Sequence, residues 1–278
     1  MIDAHHHLWD PALAHYPWLE RREAAPIRRR FDAEELRPLA VRHGVDGTVV
    51  IEARHSLDET RTLLSVAAAS DLVRGVVGWV DLTDPGLAGV LAGLRGGPGG
   101  DRLAGIRVEL YAHEPDWLAR DDVLRGLRVL AAAGLAYDVL ADARELPATV
   151  AAARGVPELR MVVDHLGKPD VARGEDRAWS ASMSDLGALP NVWCKVSGGF
   201  GPAFVPRRRP EALSPFVGAV RDWFGDGRLI FGSDWPVSTL AAPYDDVIGL
   251  WRELLADLSP DDRSATFGGN ARQVYGLR

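Results

Sequence analysis

The sequence contains a single cysteine, Cys194, so no disulfide can form within the chain. This usage fits a reducing compartment, and we expect the protein in the cytoplasm. No apolar run approaches the ~20 residues of a membrane-spanning helix, and the N-terminus lacks the basic and apolar regions of a signal peptide. We therefore expect no membrane partner.

Lysine is scarce in this chain, and almost all of its positive charge is arginine. The 32 basic residues are outnumbered by 39 acidic ones, for a formal net charge of −7. This balance gives no reason to expect nucleic acid as a partner. Lys168 and Lys195 are the two lysines of the chain. Because arginine serves everywhere else, the position of each lysine needs an explanation of its own.

Short apolar segments rich in β-branched residues alternate with helical patterns along the chain. Two of the helical patterns begin with a capping pair, Asp32 with Glu35 and Ser56 with Glu59. Near-continuous apolar runs are typical of parallel strands buried on both faces. Eight rounds of strand and helix predict a single α/β domain over residues 1–278, a (β/α)8 TIM barrel. The predicted strands lie within residues 1–7, 45–53, 73–82, 103–110, 135–141, 159–167, 191–198 and 227–235.

The first predicted strand carries three consecutive histidines in the stretch MIDAHHH. Side chains two residues apart on a strand share a face, so Asp3, His5 and His7 should point the same way. His6 should face the helices, and we assign it no ligand role. A single His-x-His pair is a weak signal for a metal site, and other strands must supply the remaining ligands.

The active site of a βα-barrel lies at the C-terminal ends of its strands. Three imidazoles and one carboxylate are expected there, and this donor set suits a borderline cation such as Zn²⁺ with one position left for water. These four residues are His5, His7, His165 and Asp234. Lys195 is expected on the same rim, in contact with substrate, whereas Lys168 is expected in a loop. The Gly- and Pro-rich segment 197–211 is expected to be an active-site loop.

Five segments in order resemble the amidohydrolase superfamily, and within it the branch of sugar-lactone and 2-pyrone-4,6-dicarboxylate lactonases. The segments are IDAHHHLWD, VVDHLGKP, CKVSG, FGSDWP and FGGNARQVYGL. The resemblance covers essentially the whole chain and implies a distorted (β/α)8 barrel of amidohydrolase type. It further implies that His5, His7, His165 and Asp234 are the metal ligands or their equivalents, and that Asp234 also activates water.

Two departures from the superfamily pattern limit the metal count. In the superfamily that this chain resembles, the binuclear members carry a carboxylated lysine on strand four and a histidine on strand five. Here these strands read GIRVEL and AYDVLA, without either residue. The resemblance therefore implies one divalent metal ion, with Zn²⁺ as the expected ion. Some lactonases of this branch work without tightly held metal, so metal-free operation is the alternative.

The expected reaction is the opening of a lactone ring by water. Asp234 would be the general base, with His165 as a second catalytic residue. Arg107 and Lys195 would hold the carbonyl oxygen or a substrate carboxylate, although Arg107 could instead pair with Glu109 on its own strand. Trp9 and Trp235 could stack on substrate or serve packing only. The roles of Glu109 and of the two tryptophans stay open.

Three other functions are compatible with the sequence. A metal-dependent, non-oxidative decarboxylase of the same superfamily would share the residues of strands one, six and eight. A Schiff-base lyase would use Lys195 as its nucleophile. A non-catalytic protein could bind a metal or a ligand on the same fold. The sequence also leaves open the identity of the lactone, such as L-fucono- or L-rhamnonolactone or a carboxylated lactone, and the oligomeric state.

Overall fold

The computed structural model describes residues 1–172, 174, 177–198 and 210–277. Within this part of the chain, eight parallel strands form one sheet in the order β1 to β8. They are β1 Ile2–His6, β2 Gly47–Ile51, β3 Val73–Gly78, β4 Leu103–Glu109, β5 Ala136–Leu140, β6 Met161–Val163, β7 Val192–Val196 and β8 Leu229–Phe231. Most of the expected active-site loop, residues 199–209, lies outside the described residues.

The helices occupy the segments between the strands and follow β8. They are α1 Ala33–Arg42, α2 Leu57–Ala69, α3 Leu87–Arg95, α4 Asp121–Ala132, α5 Leu146–Gly155, α6 Arg177–Gly187, α7 Pro210–Phe224, α8 Tyr244–Leu254, α9 Pro260–Ser264 and α10 Asn270–Tyr275. Both predicted caps are present: the side chains of Asp32 and Ser56 accept hydrogen bonds from the amides of Glu35 and Glu59. No helix among the described residues has the length and apolar composition needed to cross a bilayer.

The barrel closes where β1 meets the segment that follows β8. The amide of Asp234 donates to the carbonyl of His5 at 2.8 Å, and the amide of His7 donates to the carbonyl of Trp235 at 2.7 Å. The predicted (β/α)8 barrel is therefore confirmed. Its closing hydrogen bonds join the two chain segments that carry His5, His7 and Asp234.

The C-terminal helix covers the N-terminal end of the barrel. Val274 and Tyr275 pack in one buried cluster with Ile2, Ala4 and other interior side chains of the strands. Leu277 lies beside Gly75 near the start of β3, close enough that a Cβ on this glycine would come within 2.8 Å. One end of the barrel is thus filled by side chains.

The faces of β1 differ from the sequence expectation. Between Asp3 and His6 the register with β2 shifts by a bulge, so the alternation of faces is interrupted. Asp3 accepts a hydrogen bond from the hydroxyl of Tyr244 on α8, outside the barrel, at 3.1 Å. Ile2 and Ala4 point into the interior cluster instead. The prediction that Asp3 shares a face with His5 was therefore wrong, because the bulge reverses the parity between them.

His6 points away from the barrel interior, as expected. Its Nε2 lies 2.9 Å from the hydroxyl of Thr48, and the side chain is fully buried. Burial and the neighbouring His7 lower the pKa of His6 to about 3. The folded protein therefore holds this imidazole neutral over a pH range in which an unfolded chain would charge it.

We expect this difference to make stability depend on pH. Below pH 6.5 the unfolded chain binds a proton that the folded protein refuses, so the contribution of His6 is complete above pH 6.5 and is lost toward pH 3. His6→Gln should reduce the slope of the unfolding free energy against pH by up to about 1.4 kcal/mol per pH unit. Urea unfolding between pH 7 and pH 5 measures it, with the exposed His15→Gln as control. Equal slopes for His6→Gln and wild type would contradict a buried neutral imidazole.

Candidate active site

A cavity of about 700 Å³ opens at the C-terminal ends of the strands. Four residues predicted from the sequence line it: His7, Arg107, His165 and Asp234. His5 and Lys195 are fully buried and do not belong to its lining. Further lining residues include Glu109, the last residue of β4, and Trp18, Tyr111 and Lys168 from the segments that follow the strands.

The rings of His5 and His7 meet edge to face at the end of β1. The ring centroids are 5.1 Å apart. Nδ1 of His7 lies 3.0 Å from the carbonyl oxygen of Ile51. A carbonyl oxygen only accepts, so Nδ1 carries the proton of this hydrogen bond and Nε2 is the ring nitrogen left for a ligand. That Nε2 lies 3.5 Å from Oδ1 of Asp234, which brings the two predicted ligands together.

His165 lies beyond its strand, in a turn. The sequence predicted a strand through residue 167, but β6 ends at Val163 and the backbone of His165 adopts φ 55°. Nδ1 of His165 lies 3.0 Å from the hydroxyl of Ser197, and its ring centroid lies 4.4 Å from that of His5. A Cβ on Gly198 would approach Nδ1 of His165 to 2.6 Å, so only glycine leaves room for this ring.

Asp234 also follows its strand on left-handed backbone, with φ 58°. Its Oδ1 lies 3.5 Å from Nε2 of His7 and 3.8 Å from Nε2 of His5. The carboxylate of Asp3 accepts from the amides of His5 and Ser233, at 3.3 and 2.8 Å. Asp3 thereby fixes the backbone next to Asp234 against β1, a positioning role that the sequence did not reveal.

The donor atoms form two groups, each compact enough to hold a metal ion. One atom each from His5, His7 and Asp234 lie within 4.8 Å of one another, and His5, Asp164 and His165 form a second such group. Burial lowers the pKa of His165 to about 4, and burial together with Lys195 lowers the pKa of His5 well below 6.5. Both rings are therefore neutral at physiological pH, the form that ligates a metal.

Buried acidic side chains outnumber the buried basic ones around these donors. Four buried carboxyl groups surround two basic side chains, Arg107 and Lys195. The carboxylates belong to Glu52, Asp138, Asp164 and Asp234. An oxygen of Glu52, Oε2, is buried without a hydrogen-bond partner among the described residues.

Arg107 pairs with Glu52, the residue that follows β2. The sequence did not indicate this partner. Its Nε donates to Oε1 of Glu52 at 2.8 Å, and Nη2 donates to the Glu52 carbonyl at 2.6 Å. Burial opposes the charge of Arg107, but Glu52 and Asp164 outweigh burial and raise its pKa. Glu109, the partner considered from the sequence, lies 3.8 Å from His55. Arg107 is thus a permanently charged donor at the cavity wall.

Lys195 lies behind the cavity. Its Nζ is 2.5 Å from Asp138, 3.0 Å from Asp164 and 3.1 Å from Nδ1 of His5. Burial opposes the ionisation of Asp164, but Lys195 and His5 hold its pKa well below 3.8. The expected contact between Lys195 and substrate therefore stays a prediction, and its position favours a role in supporting His5. The same position gives a carbonyl substrate no access for Schiff-base formation.

Trp9 and Trp235 belong to an aromatic cluster beside the site. The ring of Phe31 packs edge-on between them, at centroid distances of 5.4 and 5.3 Å. Trp9 Nε1 also donates to the carbonyl of Ile27, and both indoles are buried. Packing is the role that these contacts support. Trp18 is the tryptophan that lines the cavity, and no sequence pattern distinguished it from the others.

Comparison with known proteins identifies the family. Residues 2–277 match the family described as Amidohydrolase. A curated L-fucono-1,5-lactonase from Burkholderia ambifaria is 41% identical over 99% of this chain and 94% of its own length, and one from Burkholderia multivorans is 36% identical over 99% and 96%. A zinc-bound amidohydrolase from B. multivorans superposes with a TM-score of 0.92 at 34% identity, covering 100% of this chain and 99% of that one. The chain belongs to the amidohydrolase family, as its motifs predicted.

Proposed function

We propose that this protein hydrolyses a sugar lactone, with L-fucono-1,5-lactone as the first substrate to test. The observation that carries the proposal is the carboxylate of Asp234, held beside the imidazoles of His5 and His7 at the wall of a 700 Å³ cavity. The two Burkholderia relatives named L-fucono-1,5-lactonase support this substrate class. A cavity of this volume accommodates a monosaccharide-sized ligand.

Lactone hydrolysis needs an activated water, a donor for the developing oxyanion and a proton for the departing ring oxygen. Asp234 takes the proton from the water and returns it to the leaving hydroxyl. Arg107 is clamped by Glu52 and lines the same cavity, so it can hold the carbonyl oxygen without reorganising. His165 contacts the hydroxyl of Ser197 through Nδ1 and lines the same cavity, so it would be the second catalytic residue.

His5, His7, His165 and Asp234 would hold one divalent metal ion, with Zn²⁺ as the expected ion. The donor distances and the lowered pKa values of His5 and His165 support this, as does the zinc in the Burkholderia multivorans structure. When bound, such an ion would lower the pKa of water and polarise the lactone carbonyl. Operation without metal is the alternative, in which the imidazoles bind substrate and Asp234 acts by itself.

A lactone panel tests the proposed function. Acid release, followed with a pH indicator, should be fastest with L-fucono-1,5-lactone and related sugar lactones. The decarboxylase alternative predicts CO₂ release from β-resorcylate-type acids instead, and the lactonase relatives make it the less favoured one. A non-catalytic protein would act on neither class. Inactivity toward every lactone would refute the proposed function.

Asp234→Asn should abolish hydrolysis and leave the fold intact. The amide keeps the shape of the side chain but accepts no proton from water, so kcat should fall by at least about a hundred-fold. Steady-state kinetics measures the loss, and an unchanged Tm shows that the fold is kept. Turnover close to wild type would contradict the role of Asp234 as general base.

The double variant His5→Ala/His7→Ala should lose both metal and activity. Elemental analysis of untagged wild type should find no more than one equivalent of divalent metal per chain, and its removal should slow hydrolysis. His6→Gln is the matched control, because this imidazole on the same strand faces away from the site. Two equivalents in wild type would refute the mononuclear site, and a fully active metal-free enzyme would refute the metal requirement.

Lys195→Met should destabilise the protein strongly. Removing one partner of a buried ion pair leaves Asp138 and Asp164 without their cation, a change that typically costs about 3–5 kcal/mol. Chemical denaturation measures the loss. Lys168→Met is the matched control, since its ammonium is partly exposed. Equal stability of the two variants would show that the buried network does not support the fold.

A further inference from the structure

Of the two lysines, the one in the cavity wall is Lys168. Its side chain is 23% exposed, whereas that of Lys195 has no exposed surface. Lys168 lines the same cavity as His7, His165 and Asp234. The sequence placed it in a loop without further role, because it follows its strand by several residues. The structure brings that loop to the site.

Lys168 ends a strained turn that starts at His165. The φ angles of residues 165–168 are 55°, 57°, 67° and 50°, and only Gly167 in this run lacks a side chain. L-residues rarely adopt this backbone, so each of the other three costs conformational free energy. Neighbours hold the turn: Trp179 Nε1 donates to the carbonyl of Leu166 at 2.8 Å. Strain of this kind persists mainly where side chains must be aimed at a functional site.

Two loops hold the ammonium of Lys168 in place. Its Nζ lies 3.2 Å from Oδ1 of Asp142, which follows β5, and 4.5 Å from the ring centroid of Tyr111, which follows β4. An ammonium has three N–H donors. The carboxylate and the ring face restrain the group without using all three, so a donor is left for a ligand oxygen.

We propose that Lys168 contacts the substrate, donating a hydrogen bond to an oxygen of the hydroxylated lactone and then to the carboxylate of the hydroxy acid formed. This inference rests on the proposed function. Because His165 and Lys168 belong to one rigid turn, an oxygen bound by Lys168 is positioned relative to the imidazole. The product carries a full negative charge and the lactone carries none, so the ammonium interacts more strongly with the product.

Kinetics of Lys168→Met on a lactone that wild type hydrolyses tests this inference. A lost hydrogen bond to a charged group should raise KM by about ten-fold or more. The inhibition constant of the hydroxy acid product should rise further than KM does, and kcat should change less. Lys168→Arg, which keeps the charge, should recover part of both constants. The matched control is Arg120→Met, which removes an exposed cation outside the cavity lining and should change neither constant.

Unchanged KM and product inhibition in Lys168→Met would overturn the contact. A fall in Tm with wild-type kinetics would overturn it as well, because it would assign Lys168 to structure alone. Equal effects of Lys168→Met and Arg120→Met would also overturn it, because they would show that the kinetics respond only to the overall surface charge. If wild type hydrolyses no lactone, the proposed function itself fails, and the substrate contact fails with it.

Discussion

The barrel interior depends on the buried ion pairs that Lys195 forms with Asp138 and Asp164. These three side chains belong to β7, to β5 and to the residue after β6, and none has exposed side-chain surface. Transferring such charges from water costs several kcal/mol per ion unless each meets its partner in good geometry. A shift of one residue in β6 would remove Asp164 from Lys195 and leave buried charges unpaired. The network therefore selects one register for adjacent strands.

The same network connects both ends of the barrel. At the closed end, the hydroxyl of Tyr275 on the C-terminal helix donates to Asp138 at 2.9 Å. At the open end, Lys195 and Asp164 lie 3.1 and 3.4 Å from Nδ1 of His5. The ring of His5 is thus oriented by groups that the cavity does not reach. The same electrostatic network therefore holds the C-terminal helix and orients His5, a candidate metal ligand.

The sequence revealed the barrel because parallel strands, buried on both faces, leave continuous apolar runs at regular intervals. The same periodicity misplaced Asp3, since a bulge in β1 adds one residue and reverses the faces before His5. The periodicity also does not show how deeply a side chain is buried. Lys195 and Lys168 both follow apolar runs, yet Lys195 is enclosed and Lys168 lines the cavity. The sequence placed Glu52 in a strand and did not reveal its partner, because Arg107 is distant in the sequence.

Local backbone geometry explains why the motifs contain more than the reacting side chains. His165 and Asp234 both adopt left-handed backbone after short strands, which turns their side chains toward β1. Glycines provide the space: a Cβ on Gly232 would approach Cβ of His5 to 2.5 Å. In FGSDWP the glycine therefore makes room for His5, while the aspartate supplies the chemistry. The glycines and the left-handed residues of these motifs allow side chains to approach closely in tight turns. The spacing between ionisable residues alone does not give this geometry.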